Sequence, residues 1–149
     1  MRSVIQRVSS ASVSVDGAVV GRIGAGLLVF VGVAEGDGPV DLDYTASKIR
    51  EMRIFADEQG RMNRSVVDTG GSVLVVSQFT LLGDVRKGRR PAFDAAAAPD
   101  AARSCYEDLV SRLKAYGLPV ETGVFQAHMD VTLVNDGPVS ILLDSRRLF

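Results

Sequence analysis

Two short polar segments, each set between apolar runs, hold the residues with which this chain could do chemistry. The run Val73-Leu74-Val75-Val76 leads directly into Ser77-Gln78-Phe79-Thr80-Leu81. Polar residues at the end of a buried strand place hydroxyls, a carboxamide and free main-chain N–H groups at the rim of a sheet, where small-molecule sites of α/β architectures form. Local propensity alone also explains Ser and Thr at a strand end. The second segment is Asn135-Asp136-Gly137-Pro138-Val139-Ser140. Its Asn, Asp and Gly read as a hairpin turn. Gly137-Pro138 is, however, an X-Pro bond, and cis is a real minority form of such bonds. A cis bond aims successive carbonyl oxygens in one general direction, as a rigid, acceptor-only surface. At the level of propensity, turn and acceptor surface both stand.

Other chemistries find no support in the residues. A Ser-His-Asp triad needs a base beside its nucleophile, and the one histidine, His128, alternates with Met129, Val131 and Leu133 onto the solvent side of a strand. One Cys and one His without ligand spacing cannot build a closed zinc site, so no metal and no cofactor is expected. Cys105 falls on an apolar helix stripe and reads as core. Gly21, Gly24 and Gly26 precede a strand, not a helix, so the phosphate-binding helix end is missing and a hairpin turn is the better reading. Asp57-Glu58-Gln59-Gly60-Arg61 reads as an exposed turn.

Taken as a pair, in this order, the two segments resemble the D-aminoacyl-tRNA deacylases, which combine a Ser-Gln-Phe-Thr-Leu motif with an Asn-x-Gly-Pro-Val motif near the C-terminus. The likeness runs along nearly the whole chain, including Val4-Ile5-Gln6-Arg7-Val8, Gly26-Leu27-Leu28-Val29-Phe30-Val31-Gly32-Val33 and Lys87-Gly88-Arg89-Arg90-Pro91-Ala92-Phe93. Two positions depart from the pattern. Gln126 stands where Gly is expected, which strains a backbone that needs positive φ. Ser140 stands where Thr is usual but keeps the hydroxyl.

The resemblance implies a metal-free ester hydrolase that releases D-amino acids from the tRNA 3′-terminal ribose, and glycine from mischarged tRNA. It implies a homodimer in which the carbonyls of a cis Gly137-Pro138 bond from one subunit enter the other's site and exclude an L side chain. Overpacking of that kind costs about 1–3 kcal/mol, enough for tenfold or greater rejection, and acts against the wrong hand instead of favouring the right one. Ser77, Gln78, Phe79 and Thr80 become the catalytic segment, with main-chain N–H groups around Phe79 and Thr80 as oxyanion donors. Thr80 is the nominal nucleophile, but no base is legible beside it, so water attack helped by the ribose 2′-hydroxyl is preferred. Phe79 and Met129 would pack on the terminal adenine, and Arg7 would serve the substrate or brace the Gly-Pro loop. Lys87 and Arg89, within the basic run Arg86 to Arg90, would meet acceptor-stem phosphates, or form a solvated loop. The rivals are a relative with a trans Gly-Pro bond that prefers L-alanyl-tRNA, a non-catalytic RNA- or nucleotide-binding module, and a structural β-rich dimer.

The elements that must position these residues follow from patterning. Ser3 to Val15, Ala18 to Ile23 and Leu27 to Val33 read as three strands, with Asp16-Gly17 as a turn. Leu42, Ala46, Ile49, Met52 and Phe55 recur at helical spacing, with Asp41 as cap. Asp100 to Tyr116 is a second helix with the stripe Ala102, Cys105, Tyr106, Leu109, Val110 and Leu113, bounded by Pro99 and Gly117. Ser72 to Gln78, Val120 to Phe125, Met129 to Val134 and Val139 to Leu143 complete the order β-β-β-α-β-α-β-β-β. This predicts an α/β fold, a mixed, barrel-like sheet packed by two helices in one domain over residues 1–149. At 149 residues, 46% hydrophobic and 23% charged, the chain can bury a sufficient core without disulfides. No apolar run approaches the ~20 residues of a membrane span, and one cysteine points to a reducing cytoplasm. The net charge of −1 excludes RNA binding through a generally basic surface, so any such contact must be local.

Overall fold

The computed structural model describes residues 1–149. Its sheet is built on β1 (Arg2–Val15), flanked on one side by β2 (Ala18–Ile23) and β3 (Gly26–Gly32), both antiparallel to it. The pairings Ala11 with Ile23 and Val8 with Gly26 keep a single register across the gap. The Gly24-Ala25 segment is therefore a bend between two collinear strands and not the hairpin turn expected from its glycines. Gly26 is required for another reason: a Cβ there would lie 1.9 Å from the Ser72 carbonyl oxygen.

Parallel strands follow. Helix α1 (Pro39–Glu51) and the small hairpin β4 (Phe55–Ala56) and β5 (Met62–Arg64) lead to β6 (Ser72–Ser77), which pairs parallel to β3. A short 3-10 turn, η1 (Phe79–Leu82), and helix α2 (Pro99–Ala115) lead to β7 (Val120–Thr122), parallel to β6. Strand β7 approaches β2, where a Cβ on Gly21 would meet the Thr122 carbonyl oxygen at 2.5 Å, so the sheet curls into a nearly closed barrel. The hairpin β4–β5 carries the expected turn at Asp57 to Arg61, and Phe55 belongs to it instead of to the helix. In α1 the cap is Gly38, while Asp41 sits three residues on and accepts the Gly38 N–H at 2.9 Å. The carboxylate thus serves from inside the first turn, where the helix dipole also favours it.

The apolar runs of β3 and β6 are buried on both faces because they separate two cores. Leu27, Val29, Val31, Val73 and Val75 face the helices, against Ala46, Ile49, Leu109 and Leu113. Leu28, Leu74 and Val76 face the barrel interior with Val8, Ala11 and Val13 of β1. Truncating any fully buried leucine here to alanine costs about 2–5 kcal/mol.

The largest departure from expectation lies at the C-terminal end. The two strands expected either side of Asn135–Ser140 are one strand, β8 (Asp130–Asp144), and both halves pair antiparallel with β1. Val8 pairs with Asn135 and Gln6 with Ser140, so residues 136–139 leave the ladder as an excursion from a continuous strand. A hairpin would have returned the chain to a new neighbour. Because β8 pairs only with β1, its outer edge has no partner within the chain, and Val134 and Leu142 on it are exposed. No helix is long and apolar enough to cross a membrane.

Candidate active site

The carboxyl ends of β3 and β6 open into a cleft of about 510 Å³. Its walls come from Val31 and Val33, from Ser77, Gln78, Phe79 and Thr80, from Ala96 and Ala97, from the first turns of α2, and from the 125–129 segment. The site sits outside the carboxyl ends of parallel strands, where α/β sheets bind ligands. Close approach shapes it: Gln78 donates its main-chain N–H to the Val31 carbonyl at 2.7 Å, and a Cβ on Gly32 would come within 2.9 Å of the Gln78 carbonyl.

Phe79 begins η1, and the first N–H groups of such a turn have no intrahelical acceptor. The N–H groups of Phe79 and Thr80 have no backbone acceptor elsewhere either. Two adjacent donors are thereby left at the mouth of an apolar cleft. The Thr80 hydroxyl accepts from Gln78 Nε2 at 3.0 Å. Phe79 is exposed on its outer side and meets Phe93 edge to face, with ring centroids 4.9 Å apart.

Three of the cleft's lining residues, Tyr106, Phe125 and Gln126, were not legible in the sequence as site residues. Tyr106, on the apolar stripe of α2, is buried and lines the cleft floor, yet its hydroxyl donates to the Val75 carbonyl at 2.8 Å. Burial, with Glu107 nearby, pushes its pKa up to about 12, so it stays neutral and committed. Phe125 tilts against it at 5.9 Å and carries the Arg103 guanidinium 4.7 Å from its ring centroid. Gln126 closes the group. The cleft lining contains no carboxylate, imidazole, ammonium or thiol.

Of the residues expected at the site, Ser77, Gln78, Phe79, Thr80 and Met129 meet in this cleft. Gly137, Pro138, Arg7, Lys87 and Arg89 do not line it. The Gly137-Pro138 bond is cis, and residues 136–138 are exposed. Four side chains hold this excursion. Asn135 Oδ1 accepts the Val139 N–H at 2.9 Å, its Nδ2 donates to Ser140 Oγ at 3.2 Å, and Gln6 Nε2 donates to the same hydroxyl at 3.0 Å. The hydroxyl retained by Ser140 is thus in use. Val139 then re-enters the helix-side core. Arg7 points to the loop: its Nε donates to the Asp136 carbonyl at 3.0 Å and its Nη1 to the Ile54 carbonyl at 2.5 Å. Gly137 has φ +141, and a Cβ on it would fall within 2.9 Å of Val139.

The basic run is not uniform. Asp84 and Ala92 exchange both main-chain hydrogen bonds and close the loop, and Asp84 takes the Arg86 guanidinium. That contact holds the Asp84 carboxyl down at about 2. Arg86 is neutralised within the loop, while Lys87, Arg89 and Arg90 have no acidic partner. His128 is 95% exposed, as alternation predicted, and Cys105 packs against the core, its thiol pushed up by burial and by Asp37.

Comparison with known proteins gives a consistent result. The family model for D-Tyr-tRNA(Tyr) deacylase matches residues 4–144. The D-aminoacyl-tRNA deacylase of Desulfitobacterium hafniense is 58% identical over 149 residues, all of both chains. That of Anaeromyxobacter dehalogenans is 61% identical over the same full length. Among solved structures, the c-Myc DNA unwinding element binding protein superposes with a TM-score of 0.91 at 38% identity, covering 97% of this chain and 98% of its own. A probable eukaryotic D-amino acid tRNA deacylase, 18% identical with a TM-score of 0.79 over 95% of this chain and 97% of its own, shares the fold.

Proposed function

This chain belongs to the D-Tyr-tRNA(Tyr) deacylase family, and from that premise we propose how it hydrolyses D-aminoacyl-tRNA as one deacylase domain over residues 1–149. The observation that carries the mechanism is the cleft's composition: two free main-chain donors and no group that titrates near neutral pH. The ester carbonyl lies against the N–H groups of Phe79 and Thr80. As water attacks, charge grows on that oxygen, and each donor stabilises it by about 2.7–4 kcal/mol. The 2′-hydroxyl of the terminal ribose helps position the water. Thr80, already an acceptor for Gln78 and without a base, orients groups at the centre; Ser77 shapes the strand end. The attacking water gives up a proton to bulk water as its C–O bond forms. The bond from the acyl carbon to the ribose 3′-oxygen then breaks, and that oxygen takes the negative charge and is protonated from solvent.

Handedness is set from outside the chain that supplies the cleft. The carbonyl groups of Gly137 and Pro138 from a second copy occupy the volume an L side chain needs, so a homodimer is the working unit. Support comes from the exposed 136–138 excursion, from its bracing by Arg7 and Asn135, and from the unpaired outer edge of β8. Such an edge with exposed apolar residues is a natural template for a second copy. Glycine has no side chain to exclude, so glycyl-tRNA is also a substrate. Met129 and Phe79 pack on the terminal adenine, while Lys87 and Arg89 reach acceptor-stem phosphates. A cytoplasmic location follows from the tRNA substrate.

The direct test incubates purified protein with D-tyrosyl-, L-tyrosyl-, glycyl- and L-alanyl-tRNA beside an enzyme-free control. D-tyrosyl and glycyl esters should be cleaved and the two L esters spared. Glycyl-tRNA as inert as L-alanyl-tRNA would contradict exclusion. Affinity should also fall with salt, and Lys87→Ala should lower the slope of log K against log salt by about 1; a flat salt response removes the phosphate role.

A further inference from the structure

The turn that carries Gln126 is built in an unfavourable way. The Ala127 N–H returns to the Val124 carbonyl at 3.2 Å, and Gln126, third in that turn, has φ +64. This position suits Gly, and a side chain there costs about 1–2 kcal/mol. Strain of this sort collects where a side chain is needed for function. The side chain in question borders the cleft. Arg103 lies on Phe125 and donates from Nη2 to Gln126 Oε1 at 3.4 Å. Gln126 is exposed at the rim, and the two N–H bonds of its Nε2 have no acceptor within the chain. Apart from Ser77–Thr80, the cleft's other side chains are apolar save Tyr106, whose hydroxyl is already spent on Val75.

We propose that Gln126 is a specificity residue for the nucleoside end of the substrate, its Nε2 donating to a ring nitrogen of the terminal adenine while Arg103 fixes the carboxamide. This rests on the deacylase reading above. Apolar walls hold the faces of a purine without telling its edges apart; reading an edge takes a donor aimed at N1, N3 or N7, and the carboxamide N–H bonds can supply it. Arg103 touches no substrate in this scheme and is a positioning residue.

The test uses 3′-deoxy-3′-(D-alanylamino)adenosine, whose amide link resists hydrolysis, together with D-tyrosyl-tRNA turnover. Gln126→Gly should weaken analogue binding about three- to tenfold and raise KM by the same factor, with the change in KM far exceeding that in kcat. Its Tm should hold or rise, because glycine relieves the φ. Versions of the analogue carrying 1-deaza-, 3-deaza- or 7-deazaadenine locate the bond: one should bind wild type three- to tenfold more weakly, yet bind Gln126→Gly no worse than the parent analogue. Arg103→Ala should give a smaller loss of the same kind, and His128→Ala none. Equal binding of the parent analogue by wild type and Gln126→Gly, with wild type active on D-tyrosyl-tRNA, overturns this inference alone. So do deaza losses that persist undiminished in Gln126→Gly. Wild type inactive on D-tyrosyl-tRNA overturns the deacylase reading as well.

Discussion

The start of η1 and the 136–138 excursion are both main-chain devices, but they are made and held in opposite ways. The first offers N–H donors and grows from β6, a strand buried on both faces, with Tyr106 fastened to Val75 beneath it. The second offers carbonyl oxygens and leaves an edge strand, held by Asn135, Ser140 and Arg7 at the surface. Packing fixes the donors; side-chain hydrogen bonds fix the acceptors. In the proposed scheme, the reaction common to all substrates falls at the end of a strand buried on both faces. Discrimination, in the same scheme, falls to a projection received by a second copy.

If that division is right, each device should break separately. The largest effect is expected from Gly137→Ala, since φ +141 and the contact with Val139 leave no room for a Cβ. The ratio of D- to L-tyrosyl-tRNA hydrolysis should fall about ten- to a hundredfold, the equivalent of 1–3 kcal/mol of lost exclusion, while D-tyrosyl-tRNA turnover stays within a few fold. Loss of both rates together would merge the two devices into one.

On the donor side the expected signature is stability. The pKa of Tyr106 in the fold is raised to about 12, against about 10 when unfolded. Its neutral form is therefore favoured by folding. That contribution is complete below pH 10 and is lost as pH rises toward 12, because the unfolded chain gives up its proton first. The loss should amount to about 2–3 kcal/mol in chemical denaturation. Tyr106→Phe should flatten this alkaline limb at a cost of about 1 kcal/mol near neutrality for the missing hydrogen bond. An unchanged limb in the variant would assign it elsewhere.

Thr80→Val probes the chemistry at smaller scale. It should lower kcat about tenfold through lost positioning, with binding retained, and log kcat for wild type should show no inflection from the protein between pH 6 and 9. Complete loss of turnover with binding intact would make Thr80 a nucleophile.

Much of this was legible in the chain. Alternation placed β1 and the Asp16-Gly17 turn placed β2 after it, the continuous apolar runs placed β3 and β6, and the α2 stripe came out with its Tyr106 and Cys105 correctly inward. The positive φ anticipated at Gln126 is there. What local pattern could not tell was where a strand goes after a turn signal. Asn135-Asp136-Gly137 carries the composition of a hairpin, yet both flanks return to β1, because the pairing is decided by partners more than a hundred residues away. Gly24-Ala25 misled in the same way, since its glycines serve a bend and close strand packing. Tyr106, Phe125 and Gln126 reached the cleft, with Arg103 behind them, only through the docking of α2 beside the 125–129 segment. Side-chain periodicity carries no information about that juxtaposition.

The claim on which the rest depends is that one protomer's carbonyls police another's cleft, and subunit mixing tests it most directly. Gly137→Ala protomers, with working clefts, are exchanged with an excess of Ala127→Trp protomers, whose clefts are filled but whose loops are intact. Hydrolysis of L-tyrosyl-tRNA should fall toward the wild-type level while D-tyrosyl-tRNA hydrolysis by the working clefts persists. L-tyrosyl-tRNA hydrolysis that stays constant through complete exchange would show that each loop acts on its own chain, or not at all.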